Sequence, residues 1–298
     1  PRPVRAGLNR ANPVADIALT GIGAPNRRVG SRGATMEMRI DEHRLTLTGT
    51  GWPLTGAVRH RMMERTVTHE KPLDAAWSVA WIRGAAAAVA EHRDELTELD
   101  RAIGDGDHGI NLDRGMHAAV AKLDSQESGG GIPSPPAGVF KATATSLLAT
   151  VGGAAGPLLG TAFLRASRAC DVDVLSSQDV ATLLGEAAVG VQMRGRAEVG
   201  DKTMLDAWQP AARAAREAAA AGASPVEVLR AAANAAVDGA DATYSLTALR
   251  GRASYLGARS VGHHDPGARS TALILQAAVR PAGGEEEPER LPALAGRI

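Results

Sequence analysis

The sequence predicts an all-α protein whose helices form an antiparallel up-and-down bundle or barrel. Ala is abundant along the 298 residues and aromatic residues make up only 3%, while Val, Ile and Thr form no sustained alternating runs. Ala favours helix, and strands favour β-branched and aromatic residues. Short Gly-, Pro- and Ser-rich breaks separate the helical segments, which is typical of antiparallel neighbours in a bundle.

Eight helical segments are predicted after Leu73, and several have clear start signals. Ser177 precedes QDVATLL, Asp201 precedes KTMLDAW, and Ser224-Pro225 precedes VEVLRAA. Ser and Asp cap helix N-termini, and Pro suits the first helical position. The predicted helices cover residues 74–98, 111–123, 137–150, 156–170, 178–195, 202–221, 224–242 and 267–279.

The chain is expected to have three parts. Residues 1–72 are a Gly-, Pro- and Arg-rich extension with a net charge of +6, and residues 73–281 form the helical domain. Residues 282–298 are a polar tail. Within the extension, MEMRIDEHRLTLT is compatible with a short strand pair. A basic excess in a segment without a visible fold is weak evidence for nucleic-acid binding, so none is expected.

Composition also limits the location of the protein. Cys170 is the only cysteine, so an intrachain disulfide is excluded, which suits a reducing cytoplasm. No apolar run reaches the roughly 18 residues of a membrane span, and the start PRPVRAGLNR has no apolar signal region. We therefore expect a cytoplasmic protein without a membrane partner.

The stretch LDRAIGDGDHGINLDRGM, residues 99–116, concentrates acid in one turn. Asp100, Asp105 and Asp107 follow a helix C-terminus, where the helix dipole disfavours negative charge. Carboxylates without Cys partners suit Mg²⁺ or Ca²⁺, and Met116 stands where an EF-hand needs Glu. Mg²⁺ would complete its shell with phosphate oxygens and water. A solvated Asp/Gly turn is the alternative.

Three later stretches contain further Gly-rich loops. In ATVGGAAGPLLG, glycines precede Pro157 and could present free N–H groups to an anion, or serve only close helix packing. Lys202 lies at a predicted helix start, where a cation opposes the dipole, so it faces an acid or phosphate unless the helix is simply capped. RGRASYLGARSVGHHDPGARS has several Arg, whose guanidinium groups suit phosphates; a solvated basic loop is the alternative.

Together and in this order, the four stretches resemble the nucleotide-binding L subunit or L domain of dihydroxyacetone kinases. The resemblance rests on GDGDHG..L.RG, VGG..GPL.GTAFLRA, GDKTM.DAW.PA and GRASYLG.RS.GH.DPGA, and it covers residues 75–280. It implies an all-α barrel of eight antiparallel helices. ADP or ATP and two Mg²⁺ would be bound by the loops at one end.

The resemblance also implies the residues of the site. The metal ligands would be Asp100, Asp105 and Asp107. The nucleotide would be bound by His108, Gly109, Ile110, Asn111, Ala154, Ala155, Gly195, Met204, Arg252, Asp265, Pro266 and Gly267. Ala155 stands where the family commonly has Ser, which removes one hydroxyl donor to phosphate. Residues 248–253 read ALRGRA rather than ARKGRA, and Ala258 replaces the Glu of GERS.

By the same resemblance, the chain would pass a phosphoryl group to a triose bound on a separate K subunit. Positioning and charge neutralisation would be its main contribution to that reaction, and no side chain is assigned as the catalytic group. A phosphohistidine carrier, the M subunit of the phosphoenolpyruvate phosphotransferase system, would recharge the bound ADP. The alternatives are an ATP-dependent subunit for another ketose and a nucleotide-sensing module without turnover. A homodimer is a further candidate assembly.

Overall fold

The structure is a computed structural model that describes residues 70–283 and the backbone of residues 36–41 and 44–49. The chain divides into two units, Pro1–Val67 and Thr68–Ile298. In the first unit, strands β1 (Met36–Asp41) and β2 (Arg44–Gly49) pair antiparallel, with Met36 opposite Gly49. This pair is the one predicted for MEMRIDEHRLTLT. Apart from residues 70–72, the rest of the predicted extension and most of the predicted tail lie outside the described residues.

Nine α-helices are present within residues 70–283. They are α1 (Ala75–Glu91), α2 (Arg93–Ile103), α3 (His108–Gly130), α4 (Pro136–Thr150), α5 (Ala155–Arg168), α6 (Ser177–Gly195), α7 (Leu205–Ala220), α8 (Pro225–Ala242) and α9 (Pro266–Gln276). Short 3-10 segments cover Thr243–Ser245, Arg252–Ser260 and Arg280–Ala282. No helix of this described part combines the length and apolarity needed to cross a membrane.

Eight of these helices close a ring. Helix α1 packs on α3, each helix from α3 to α9 packs on the next, and α9 packs back on α1. The predicted all-α barrel is therefore confirmed. The first predicted helix, 74–98, is in fact two helices, because His92 has a non-helical backbone (φ −99°, ψ 12°). Helix α2 then packs against α3 and α9.

The helix starts follow the predicted caps in part. Ser224 caps α8 and forms a capping box with Glu227, as expected from Ser-Pro. Helix α6 is capped by Ser176, one residue before the predicted Ser177. The predicted start after Asp201 is wrong, because α7 begins only at Leu205.

An aromatic cluster fills the core of the ring. Trp77 and Trp81 of α1 lie against Phe140 of α4, with ring centroids 6.4 and 5.3 Å apart. Both indole N–H groups are buried but satisfied, since Trp81 donates to the carbonyl of Ile274 at 2.7 Å and Trp77 to that of Ala278 at 3.0 Å. Buried indoles need such partners, and here they connect α1 to the end of α9 and close the ring.

Candidate functional site

The loops singled out in the sequence meet at one end of the barrel. Because successive helices of the ring run antiparallel, the connections α2–α3, α4–α5, α6–α7 and α8–α9 share an end. They enclose a cavity of 640 Å³. Its lining includes these residues predicted from the sequence: Asp100, Asp105, Asp107, His108, Asn111, Ala154, Ala155, Gly195, Met204, Arg252, Asp265, Pro266 and Gly267.

Two predicted residues, Gly109 and Ile110, do not line the cavity. They lie in the first turn of α3, where residues 108 and 111 share the face towards the cavity and the two between them point elsewhere. Gly109 faces α2 instead, and a Cβ there would lie 2.0 Å from the carbonyl oxygen of Arg93. Ile110 is 50% exposed. The geometry assigns Gly109 to helix packing and Ile110 to the outer surface.

The three carboxylates of the acidic loop come together. One oxygen from each of Asp100, Asp105 and Asp107 lies within 4.8 Å of the other two. Asp100 Oδ2 accepts the N–H groups of Asp107 at 2.8 Å and His108 at 3.1 Å, so it also satisfies the start of α3. Asp107 precedes α3, yet its side chain makes no capping hydrogen bond. Its carboxylate is therefore available to a cation.

The charge balance of this trio fits a divalent cation. Arg252 Nη1 pairs with Asp105 Oδ2 at 2.7 Å, and within residues 70–283 Asp100 and Asp107 have no salt bridge. Close carboxylates repel one another unless a cation joins them, and oxygen-only donors at this spacing suit Mg²⁺. The donor set thus fits the ion that the sequence predicted, with Arg252 offsetting part of the charge.

A second wall of the cavity offers N–H groups. Gly153 has a left-handed backbone (φ +65°) in the turn before α5, and α5 starts at Ala155 without a side-chain cap. The first N–H groups of a helix have no partner within the helix and carry partial positive charge. Ala154 and Ala155 both line the cavity. This turn can therefore accept an anion such as a phosphate.

Lys202 does not lie in a capped helix, which was one of the two expectations for it. It is 1% exposed and lines the cavity, but it lies before α7 with a left-handed backbone (φ +61°). Its ammonium donates to the carbonyls of Thr243, Leu246 and His263. The N–H groups of Gly200 and Thr203 are bound instead by Asp206, and burial raises the pKa of that carboxyl. Burial lowers the pKa of Lys202, whereas the charges of Asp265 and Asp206 raise it. Lys202 is thus outside any capped helix and lies near acids, as the alternative expectation had it.

Burial also shifts two titratable groups at the start of α3 and α9. Asp265 caps α9 by accepting the N–H of Ala268 at 2.8 Å, and burial raises the pKa of its carboxyl to about 7. Burial lowers the pKa of His108, whose Nε2 lies 3.0 Å from Ser270 Oγ. The neutral imidazole is favoured, and Ser270 fixes its orientation. Ser270 is distant in sequence, so no sequence signal linked it to His108.

The remaining wall is mainly apolar. Leu158, Val191 and Ala197 line it beside the predicted Gly195 and Met204. No sequence pattern marks the first three, since isolated apolar residues carry no chemical signature. Arg194 and Arg250 also line the cavity, and Arg250 Nε lies 3.3 Å from Asp201 Oδ2. The cavity thus combines a cation site, a turn whose backbone N–H groups can bind an anion, and an apolar surface.

Comparison with known proteins gives consistent matches. Residues 102–280 match the family model described as the DAK2 domain. The chain is 37% identical over 204 residues to the PEP-dependent dihydroxyacetone kinase 1, ADP-binding subunit DhaL, of Listeria innocua, covering 68% of this chain and 95% of that protein. It is 40% identical over 200 residues to the corresponding PEP-dependent subunit of Escherichia coli, covering 66% and 92%.

More distant matches include longer kinases. The L-erythrulose 1-kinase of Mycolicibacterium smegmatis is 35% identical over 63% of this chain and 32% of that protein. The dihydroxyacetone kinase of C. freundii, solved in complex with AMP-PNP and Mg²⁺, shares the fold with a TM-score of 0.51 and 24% identity, over 74% of this chain and 36% of that chain. The chain therefore belongs to the DAK2 domain family, which includes the L subunits of dihydroxyacetone kinases.

Proposed function

We propose that this protein is the ADP-binding subunit of a phosphoenolpyruvate-dependent dihydroxyacetone kinase. The observation that carries the proposal is the shared cavity, in which three carboxylates within 4.8 Å and an uncapped helix start both face one space. A metal site beside an N–H turn suits a nucleotide whose phosphates bind Mg²⁺. Relatives named as such subunits match over 92–95% of their length.

In this proposal the predicted residues take the following roles. Asp100, Asp105 and Asp107 bind two Mg²⁺, and the turn at Ala154-Ala155 binds the phosphates. His108, Asn111, Gly195, Met204, Arg252 and the Asp265-Pro266-Gly267 turn complete the nucleotide site. When bound, Mg²⁺ neutralises phosphate charge and aligns the phosphoryl group for transfer.

The described side chains contribute by pre-organisation. Asp100 holds the N–H groups of Asp107 and His108, so the acidic loop has its shape before a metal arrives. Arg252 pairs with Asp105 at 2.7 Å, so its guanidinium lies beside the oxygens that would hold Mg²⁺ and would be in place for a phosphate bound next to them. The apolar wall around Leu158 keeps water away from a bound base.

The surface around the cavity supports a protein partner. Several exposed apolar side chains lie on its loops and helix ends, including Met193 (65%), Val199 (59%), Leu249 (62%) and Tyr255 (88%). Met193 and Leu249 are next in the chain to Arg194 and Arg250, which line the cavity, so these exposed apolar side chains lie beside its opening. We propose the dihydroxyacetone-binding K subunit as the partner there, and the phosphohistidine carrier as the partner that recharges ADP. A homodimer and a cytoplasmic location remain predictions.

One feature favours a second candidate, a nucleotide-sensing module without turnover. Ala155 lines the cavity where the family commonly offers a Ser hydroxyl, so the phosphate turn has one donor fewer. A third candidate is an ATP-dependent kinase for another ketose, in line with the similarity to the L-erythrulose 1-kinase. All three candidates require nucleotide binding, and they differ in what happens to the phosphoryl group.

Reconstitution separates these candidates. The purified chain is mixed with a dihydroxyacetone-binding K subunit and supplied either with phosphoenolpyruvate and a phosphohistidine carrier or with ATP, and triose phosphate is measured. Product with the carrier is expected. Product only with ATP would instead identify ATP as the phosphoryl donor, and the third candidate is tested by repeating the ATP assay with erythrulose in place of dihydroxyacetone. Asp105→Asn should abolish product, whereas Asp124→Asn, an exposed acid near the far end of α3, should not. No product with either donor would contradict the kinase proposal.

A further inference from the structure

Lys202 is a buried ammonium that the proposed chemistry leaves without a role. Its side chain is 1% exposed and its backbone is left-handed (φ +61°), a conformation that non-glycine residues rarely adopt. Asp206 holds the same loop by accepting the N–H groups of Gly200 and of Thr203 at 2.7 Å. The loop is thus built so that the Lys202 side chain points inward.

All three ammonium donors of Lys202 are used by backbone carbonyls. Nζ lies 2.6 Å from the oxygen of Thr243, 3.2 Å from that of Leu246, and also donates to that of His263. An ammonium has three N–H groups and accepts nothing. Lys202 therefore has no donor left for a phosphate, although it lines the cavity.

The three carbonyls flank the segment that supplies Arg252. Thr243 and Leu246 precede this segment and His263 follows it, two residues before the cap of α9 at Asp265. Two hydrogen bonds between uncharged groups join the same ends. The N–H of Gly262 donates to the carbonyl of Tyr244 at 2.8 Å, and the N–H of Asp265 donates to Thr243 Oγ1 at 2.9 Å. Within residues 70–283, the loop before α7 also meets this segment through Asp201, whose carbonyl accepts the N–H of Leu249 at 3.0 Å and whose Oδ2 lies 3.3 Å from Arg250 Nε. The ammonium of Lys202 differs in that it binds both ends of the segment at once.

We propose that Lys202 is a positioning residue whose ammonium acts as a built-in monovalent cation, fixing the segment with Arg252 and the start of α9 against the loop before α7. The inference rests on the proposed nucleotide site, because Arg252 and Asp265 line that cavity. Three carbonyls directed at one point form the kind of oxygen site that small cations occupy. Because the ammonium of Lys202 is covalently attached, it occupies this oxygen site whatever the salt concentration.

Chemical rescue tests this role. In Lys202→Ala the three carbonyls face a space that an ammonium ion can enter, whereas in Lys202→Met an apolar chain fills it. Mg-ADP affinity is measured by calorimetry in choline chloride and in ammonium chloride at equal ionic strength. Because the charge-assisted hydrogen bonds are lost, Lys202→Ala should bind Mg-ADP about 10- to 100-fold more weakly than the wild type in choline chloride. Ammonium chloride should restore most of the Mg-ADP affinity of Lys202→Ala. It should not restore the affinity of Lys202→Met, in which the side chain occupies the space.

The controls distinguish the possible failures. Lys141→Ala, at an exposed lysine of α4, should match the wild type in both salts. Unchanged affinity of Lys202→Ala in choline, or a loss that ammonium does not restore, would overturn the inference. If Lys202→Ala does not fold, Lys202→Gln keeps two donors and should bind Mg-ADP more weakly than the wild type; equal affinity would overturn the role. Wild-type protein that fails to bind Mg-ADP would instead contradict the proposed function.

Discussion

Two members of the acidic trio should respond differently to removal, although both are proposed metal ligands. Asp100 accepts two backbone N–H groups at 2.8 and 3.1 Å, and it is half-buried. Asp105 is exposed, and its carboxylate pairs with Arg252 at 2.7 Å. Hydrogen bonds to a charged acceptor contribute about 1.5–3 kcal/mol each, and exposed ion pairs contribute about 0–1 kcal/mol.

These values give distinct expectations in the absence of metal. Allowing for partial exposure, Asp100→Ala should lower the free energy of unfolding by about 2 kcal/mol, and Asp105→Ala by less than about 1 kcal/mol. For a domain of this size, the first change lowers Tm by about 4–8 °C and the second by at most about 4 °C.

Thermal unfolding measured with EDTA tests the structural role of Asp100, and the same measurement with Mg-ADP tests the two residues as metal ligands. The wild type should gain about 2.7 kcal/mol at a ligand concentration one hundred times Kd, and neither variant should gain it. Asp124→Ala is the matched control and should keep the gain. Equal losses of Tm for the two variants in EDTA would refute the separate structural role of Asp100, and a retained Mg-ADP gain in Asp105→Ala would refute its role as a ligand.

Four further substitutions probe the cavity and the turn beside it. Burial raises the pKa of the Asp265 carboxyl to about 7, so the folded state keeps a proton that the unfolded chain releases near pH 4. Stability should therefore fall as pH rises from about 4 through 7, and Asp265→Asn should reduce that fall in urea midpoints measured at pH 5 and 8. Gly153→Ala should cost about 1–2 kcal/mol from its left-handed backbone (φ +65°) alone, because a Cβ there would meet nothing within 4 Å beyond its chain neighbours. Gly156→Ala should cost clearly more in the same urea assay, because its Cβ would lie 2.3 Å from the Val151 oxygen. Ala155→Ser should tighten Mg-ADP binding by about 3- to 10-fold in calorimetry by restoring a donor; weaker binding would contradict this view of the turn.

The barrel was predictable because amino-acid composition marks its helices and Gly, Pro and Ser residues mark the breaks between them. Ala-rich segments and Gly or Pro breaks predicted the eight members of the ring, and Ser224 with Pro225 marked a start that the structure has. The break at His92 was not predictable, since neither Gly nor Pro marks it. It serves the packing of α2 on α3 and α9, and tertiary contacts override local propensity there.

The site was predictable where its residues are close in sequence, and it was not predictable where the contacts join residues far apart in sequence. Asp100, Asp105 and Asp107 lie within eight residues, so their spacing alone suggested a metal. Lys202 and His263 are 61 residues apart, and no local pattern shows that the ammonium would meet that carbonyl. The four-residue run from His108 to Asn111 also exceeds what one helical turn can direct at a single cavity.

Native mass spectrometry of the purified protein tests the central claim most directly. The wild type should carry one ADP with magnesium, or take them up when both are added, and Asp105→Asn should carry neither under the same conditions. Binding of ADP that is equal in wild type and Asp105→Asn, or independent of magnesium, would contradict the claim that the acidic trio binds a metal–nucleotide complex.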